Sequence, residues 1–191
     1  MNKTLTLLAV VLATAATTFA GDVSKKVVVA PQSQDLFRAG EFDLDVFAAG
    51  AAGNYNQTTT TKKGNRSVSK TSSTSVTGFG GGLGATYFVT KYIGLEADDT
   101  LASLNGNGRT YNSTQADIIV RYPFESLHLA PYALVGGGAT WGNQTQGDGN
   151  VGLGLDYRFT RTVGIFADSR YLYGNNGLSE TLTRAGLRFA F

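Results

Sequence analysis

The sequence predicts an all-β protein, an eight-stranded antiparallel up-and-down transmembrane β-barrel over residues 41–191. Apolar and polar residues alternate with a period of two in eight segments, which places i and i+2 on one face of a strand. The connectors between these segments are alternately short and long, as an up-and-down barrel requires. After residue 20 no apolar run reaches the roughly 20 residues of a membrane-spanning helix. A sheet with one apolar and one polar face can cross a membrane only as a closed barrel.

Residues 1–20 have the pattern of a cleaved secretory signal peptide. Lys3 precedes an apolar stretch from Leu5 to Ala16, and small residues at Thr18 and Ala20 mark a cleavage site before Gly21. The stretch is too short for a transmembrane helix, which is the competing interpretation. We therefore expect an exported protein.

The composition excludes several kinds of site. The chain has no cysteine, so stability must come from backbone pairing and packing, and thiolate metal sites are excluded. A formal net charge of +2 indicates no nucleic-acid partner. The sequence predicts no metal ion and no cofactor.

The last strand shows the alternation most clearly. Leu187, Phe189 and Phe191 fall on one side, which suits lipid, while Arg184 and Arg188 fall on the other. The predicted strands are Glu41–Ala52, Ser75–Val89, Tyr92–Leu104, Arg109–Tyr122, His128–Trp141, Asn150–Phe159, Thr162–Tyr173 and Glu180–Phe191.

The short connectors define one rim of the predicted barrel and the long connectors the other. Residues 21–40 match no strand, and the stretch Ser33–Arg38 allows a short helix behind a serine cap. The short connectors are Thr90-Lys91, Pro123–Leu127 and Thr160-Arg161, and the long ones are Asn54–Thr74, Asn105–Gly108, Gly142–Gly149 and Gly174–Ser179.

A weak internal repeat supports this register. GATYFVTKYIGLEAD, from Gly84, aligns with GLDYRFTRTVGIFAD, from Gly154, with six of fifteen positions identical. Each copy is a strand, a Thr-Lys or Thr-Arg turn and a returning strand. The alignment predicts that Tyr87 and Tyr157 face the same way, and likewise Asp98 and Asp168.

The signal peptide, the amphipathic strands, the alternating connectors and the terminal LRFAF together resemble the small outer-membrane β-barrels of the OmpA-like and opacity-protein type, over Glu41–Phe191. The turn pattern of that family is similar to Tyr87–Leu95 and Tyr157–Ile165. The resemblance implies a monomer in the bacterial outer membrane, in contact with its lipid and lipopolysaccharide. It also implies that the barrel-assembly machinery reads Leu187, Phe189 and Phe191. For the segment before the first strand, residues 21–40, we expect a position on the periplasmic side. No segment resembles the peptidoglycan-binding domain of larger relatives.

With Leu187 and Phe189 towards lipid, the charged faces of the strands point into the lumen. An eight-stranded barrel has an interior just wide enough to be filled by side chains, so buried charges must pair there. We expect a structural salt-bridge network; a narrow gated pore and catalysis by paired carboxylates are the alternatives. The predicted members are Asp43, Asp45, Glu96, Asp98, Asp117, Arg121, Asp156, Arg158, Asp168, Arg170, Arg184 and Arg188.

The first long connector is basic. Lys62, Lys63, Arg66 and Lys70 occur there among threonines and serines without an acidic residue. At a cell surface such a loop either binds the phosphates of lipopolysaccharide or a host polyanion, or is simply a solvated tip.

Aromatic residues near the strand ends are typical of the girdles that lie at membrane interfaces, with a stacking surface for sugars as the alternative. They are Phe79, Tyr87, Tyr111, Tyr122, Trp141, Tyr157, Tyr171 and Tyr173.

No residue pattern predicts an enzyme. His128 is the only histidine, and Ser126 precedes it, whereas lipid A deacylase barrels have a serine two positions after the histidine. We therefore expect a non-enzymatic protein with a role in envelope integrity or in surface adhesion. A small diffusion channel and a lipid-modifying enzyme are the functional alternatives, and a soluble lipocalin-like barrel, with charge outside, is the alternative fold.

Overall fold

The structure is a computed structural model, and it describes residues 35–63, 66–104, 109–141, 145–174 and 179–191. The predicted signal peptide and residues 21–34 lie outside this part of the chain. The strands are β1 Glu41–Lys63, β2 Arg66–Phe88, β3 Ile93–Leu104, β4 Arg109–Arg121, β5 Leu129–Trp141, β6 Gln146–Arg158, β7 Val163–Gly174 and β8 Ser179–Ala190.

The eight strands form one closed antiparallel barrel in sequence order. β1 closes it by pairing with β8, from Asp43 opposite Ala190 to Asn54 opposite Ser179. The predicted fold class is confirmed. Within the described residues the one helical element is a 3₁₀ turn at Glu125–Leu127, and no helix there is long and apolar enough to cross a membrane.

The first hairpin is much longer than predicted. β1 and β2 each have 23 residues and pair from Glu41 opposite Phe88 to Lys63 opposite Arg66. The prediction of a loop over Asn54–Thr74 is therefore wrong. β6 is also longer than predicted at its start, since it begins at Gln146 rather than at Asn150. These stretches are polar on both faces, so hydrophobicity stops alternating although backbone pairing continues, favoured in the hairpin by its many threonines.

Two of the tight turns are each stabilised by a threonine side chain, and in the same way. Thr90 Oγ1 accepts hydrogen bonds from the backbone N–H groups two and three positions later, and Thr160 Oγ1 does the same. The repeat therefore encodes a side-chain-stabilised turn. Tyr87 and Tyr157 are both exposed, as the alignment predicts. Asp98 and Asp168 are both buried.

The other strand ends differ from the predicted ones by at most one residue, since frayed ends carry little pattern. The segment before β1 forms bends and a turn over residues 35–40 rather than a helix. Gly40 ends it with a φ of +73°, a conformation that glycine adopts readily.

The barrel is polar inside and apolar outside. Leu153 is 71% exposed and lies on the outer face, as do Val151 and Leu155. The aromatic residues predicted near strand ends have exposed side chains, except Tyr111, whose side chain lies outside the description.

Inward-facing glycines make room for large side chains from neighbouring strands. A Cβ at Gly154 would lie 2.3 Å from Cζ of Tyr132, and one at Gly82 would lie 2.6 Å from Cζ of Phe47. Both rings therefore fit inside the barrel only because the residue opposite each of them on the paired strand is a glycine.

Candidate functional site

The structure places all twelve side chains of the predicted network inside the barrel. None is more than 4% exposed. Successive inward positions on each strand carry these charges, so their depth follows the strand register. They form two groups. The lower cluster, nearer the short turns, contains Glu41, Asp43, Asp45, Asp156, Arg121, Arg158 and Arg188. The upper cluster contains Glu96, Asp98, Asp117, Asp168, Arg170 and Arg184.

Two arginines organise the lower cluster. Arg158 Nη2 donates to Glu41 Oε1 at 2.9 Å and to Asp43 Oδ2 at 2.8 Å, while its Nε donates to Asp156 Oδ1 at 3.0 Å. Arg188 forms a bidentate pair with Asp45 and donates from Nη1 to Asp156 Oδ2 at 2.9 Å. These contacts join β1, β6 and β8 across the lumen.

The upper cluster has two guanidinium groups among four carboxyl groups. Arg170 Nη1 lies 2.8 Å from Asp98 Oδ2 and 2.6 Å from Asp117 Oδ2, and its Nη2 donates to Glu96. Arg184 pairs with both oxygens of Asp168, at 2.9 and 2.6 Å, and also contacts Glu96 Oε1 at 2.8 Å and Asp98 Oδ2 at 2.9 Å. With every group ionised, this cluster carries two excess negative charges.

Aromatic rings lie between the clusters. The ring of Phe166 is 4.8 Å from Cζ of Arg188 and 5.6 Å from Cζ of Arg184. Phe47 packs edge-on against it, with ring centroids 6.0 Å apart. Tyr132 donates its hydroxyl hydrogen to Asp168 Oδ2 at 2.8 Å. Guanidinium groups are attracted to the faces of aromatic rings, so this layer stabilises the positive charge of the buried arginines without adding a charged group.

Sequence analysis missed Glu41, which is fully buried. Its Oε1 accepts hydrogen bonds from Arg121 Nη1 at 2.8 Å and from Arg158 Nη2 at 2.9 Å. Glu41 begins the predicted first strand and has the parity of Asp43 and Asp45, so the alternation already assigned it to the lumen. Because Glu41 is the first residue of the strand, the alternation on its N-terminal side is missing, and the pattern marks it less clearly than Asp43 and Asp45.

Phe37, also missed, closes the end of the barrel near the short turns. It is fully buried, with its ring 5.0 Å from Cζ of Arg121 and 5.4 Å from Cζ of Arg158. The backbone N–H of Leu36 donates to Glu125 Oε2 at 3.0 Å, which ties the segment to the 3₁₀ turn. No periodicity marks such a residue, because it precedes the first strand.

A layer of amide and hydroxyl groups continues the network beyond the upper cluster. Asn150 Nδ2 donates to Asp117 Oδ1 at 2.7 Å and to Gln115 Oε1 at 2.9 Å. The contact reaches from β4 to β6 across Gly136 of β5, where a Cβ would lie 2.2 Å from Asp117 Oδ1. Glycine at this position is therefore part of the site.

Comparison with known proteins finds the same architecture among solved structures, although no family model and no curated protein matches the chain. Neisserial surface protein A is 20% identical, with 80% of this chain and 99% of that chain covered and a TM-score of 0.58. OprG from Pseudomonas aeruginosa is 12% identical, with coverage of 81% and 97% and a TM-score of 0.56. Ail, the attachment invasion locus protein of Yersinia pestis, is 15% identical, with coverage of 80% and 99% and a TM-score of 0.52.

The chain has the fold of the small outer-membrane β-barrels. The resemblance inferred from the sequence is thereby confirmed at the level of fold. At these identities the likeness extends to the fold alone.

In this barrel the basic residues of the first connector lie at the tip of the β1–β2 hairpin. Lys63 is opposite Arg66, Lys62 is opposite Ser67, and Lys70 is opposite Thr59. The backbone thus brings four basic residues together on a paired ribbon rather than in a loop. Their side chains lie outside the description.

The remaining predicted residues lie away from the lumen clusters. Of the three residues of the predicted assembly signal, Leu187 in β8 is 49% exposed on the outer face, Phe189 is half-buried, and Phe191, which follows β8, is 67% exposed. His128 is exposed at the short-turn rim, with a φ of 55° and its ring 6.4 Å from the ring of Tyr157. Its place at this rim does not support a histidine-based hydrolase.

Proposed function

We propose that this protein is a non-enzymatic barrel of the bacterial outer membrane, exported by a cleaved signal peptide, which serves envelope integrity or surface binding. One observation carries the proposal: the polarity is inverted relative to a soluble barrel. Leu153 is 71% exposed on the outside, while Arg158 and Arg170 are fully buried inside. An apolar outer belt is stable against lipid and unfavourable in water, so the polarity does not support a soluble, lipocalin-like barrel.

The interior supports a packed, non-conducting barrel rather than a diffusion channel. Bidentate pairs such as Arg188–Asp45 and Arg184–Asp168 hold buried guanidinium groups in fixed geometry. The rings of Phe47 and Phe166 lie among them, and Phe37 covers the arginines at the short-turn end. The lumen is a structural plug in this proposal.

The β1–β2 hairpin supports a surface-binding role. β1 pairs with β8 only up to Asn54, and β2 pairs with β3 only from Gly78, so in the described pairing the hairpin extends past its neighbours at the rim opposite the short turns. Its tip carries four basic residues, and the sequence has no acidic residue between Asp45 and Glu96.

Charge of this kind suits a polyanion, either the phosphates of lipopolysaccharide or a sulfated glycan. Ail, which has the same fold at 14% identity and a TM-score of 0.50, has been determined in complex with the heparin analogue sucrose octasulfate. That complex shows that a sulfated sugar can be bound by a barrel of this fold.

Cell fractionation followed by gel electrophoresis tests the proposed location. When the full-length sequence is expressed, we expect the mature chain in the outer-membrane fraction, and we expect its mobility to differ between unheated and boiled samples, because a closed barrel resists detergent until it is heated. Recovery in the soluble periplasm, with identical mobility before and after boiling, would overturn the proposal.

A further inference from the structure

The upper cluster has an unusual charge balance for a buried site. Four carboxyl groups share the two guanidinium groups of Arg170 and Arg184; they belong to Glu96, Asp98, Asp117 and Asp168. Burying a charge without compensation is strongly unfavourable, so an additional positive species is needed if all four carboxyl groups are ionised.

The carboxylate oxygens converge in the way that a cation requires. Glu96, Asp98 and Asp117 each offer one oxygen, and these three atoms lie within 4.8 Å of one another. Arg170 binds Oδ2 of both Asp98 and Asp117, and Arg184 also binds Oδ2 of Asp98. Asp98 Oδ1 is buried and has no hydrogen-bond partner in the described part of the chain. Asp98 Oδ1 is therefore bound by no guanidinium group. Asp117 Oδ1 accepts one hydrogen bond, from Asn150 Nδ2, and Glu96 Oε1 is shared by Arg170 and Arg184, so a cation would share these two oxygens with their present donors.

A neutral oxygen beside the cluster gives independent support. Asn150 is fully buried, and its Oδ1 has no hydrogen-bond partner among the described residues. Because Asn150 Nδ2 lies 2.7 Å from Asp117 Oδ1, the carboxamide group is held against the cluster. Thr100, the next inward residue after Asp98 on β3, is also fully buried, and its Oγ1 has no hydrogen-bond partner within the described ranges. Buried acceptors without donors are rare in folded proteins.

We propose that the upper cluster binds one hard divalent cation of the Ca²⁺ type. Glu96, Asp98 and Asp117 supply carboxylate oxygens, and Asn150 Oδ1 supplies a neutral one, which is the all-oxygen ligand set that Ca²⁺ prefers. A charge of +2 balances the two excess negative charges of the cluster. Because the site is enclosed, the cation enters while the barrel folds. This inference is independent of the hairpin and of any surface role.

The lower cluster provides a matched control. Its Asp156 is as deeply buried as Asp98, but both of its oxygens accept hydrogen bonds from arginines, Oδ1 from Arg158 and Oδ2 from Arg188. Asp156→Asn therefore changes lumen charge by the same amount as Asp98→Asn, outside the proposed site.

The experiment is to refold the barrel in zwitterionic detergent with either Ca²⁺ or EDTA, remove free metal by desalting, and measure bound calcium and the temperature at which the folded gel mobility is lost. We expect one bound calcium per wild-type barrel and a higher transition temperature than in EDTA. Asp98→Asn should weaken calcium binding by about tenfold or more, while Asp156→Asn retains it. A wild type that binds no calcium, or an Asp98→Asn variant that binds as much as wild type, overturns the proposal.

Asn150→Asp keeps the test decisive if Asp98→Asn does not fold. This variant adds a fourth carboxylate to the ligand set, so we expect its refolding to depend on Ca²⁺ far more than that of wild type. Equal refolding in EDTA and in Ca²⁺ would contradict a cation site. A further outcome would also overturn the proposal. If the transition temperature of the wild type rises on acidification in EDTA and does not change when Ca²⁺ is added, protons rather than a cation neutralise the cluster.

Discussion

Arg188 and Asp45, which are 143 residues apart in the chain, form a bidentate ion pair inside the barrel, with Nε to Oδ1 at 2.8 Å and Nη2 to Oδ2 at 2.6 Å. They are also opposite each other in the pairing of β8 with β1. The pair therefore fastens the seam at which the first and last strands close the barrel.

Removing this pair should destabilise the barrel strongly. Asp45→Ala leaves the buried guanidinium of Arg188 without its bidentate acceptor, and breaking a buried pair costs roughly 3–5 kcal/mol of unfolding free energy. Urea unfolding of the refolded protein measures the loss. Ser103→Ala, on the exposed outer face of β3, is the control, and we expect it to change the free energy of unfolding by less than about 0.5 kcal/mol. An equal loss of unfolding free energy in both variants would show that the Arg188–Asp45 pair stabilises the barrel no more than an exposed outer residue does.

Gly136 should not tolerate a side chain. A Cβ there would lie 2.1 Å from the backbone oxygen of Ala116 and 2.2 Å from Asp117 Oδ1. We expect Gly136→Ala to lower the free energy of unfolding by about 1–3 kcal/mol, because strands or side chains must shift. Gly50→Ala is the matched control, since a Cβ at Gly50 has no neighbour within 4 Å. The midpoint of urea unfolding compares the two, and an undisturbed Gly136→Ala variant would refute the close approach.

The lumen should not conduct ions in planar bilayers. We expect no steady open level for wild type, because arginines, carboxylates and rings fill the interior. Phe37→Ala should also remain closed, since the two clusters lie beyond Phe37 and do not need it to stay in place. Persistent conductance steps in wild type would favour the channel alternative. Steps that appear only in Phe37→Ala would identify the N-terminal segment as the barrier.

The basic tip of the hairpin should bind polyanions. We expect the variant with Lys62, Lys63, Arg66 and Lys70 all replaced by serine to lose most of the retention of the barrel on immobilised heparin, and retention of wild type to fall steeply with added salt. The control replaces Lys91 and Arg161, which lie in tight turns at the opposite rim. A tip variant retained as strongly as wild type would leave the hairpin without this role.

The sequence predicts the strands well wherever one face is apolar and the other polar. The alternation of Leu187 and Phe189 with Arg188 fixes which side faces outward, and the number and order of strands follow from the same signal. The extension of the hairpin has no such signal, because residues 54–63 and 66–74 are polar on both faces, so the hydrophobic periodicity stops although the backbone pairing continues.

The contacts within the lumen depend on tertiary register and could not be predicted. Asp117 reaches Asn150 only because β5 places Gly136 between them. Phe37 lies outside any strand, so its position over Arg121 had no sequence signal.

The inverted polarity is the central claim, and brominated lipid tests it most directly. Trp141 is the only tryptophan, so Trp141→Phe provides a background in which one new tryptophan reports its own surroundings. In that background, Leu153→Trp should be strongly quenched when the barrel is reconstituted in bilayers of brominated lipid, while Phe166→Trp, at a site only 3% exposed, should not. Quenching of the Phe166→Trp variant without quenching of the Leu153→Trp variant would contradict an outward apolar face against lipid.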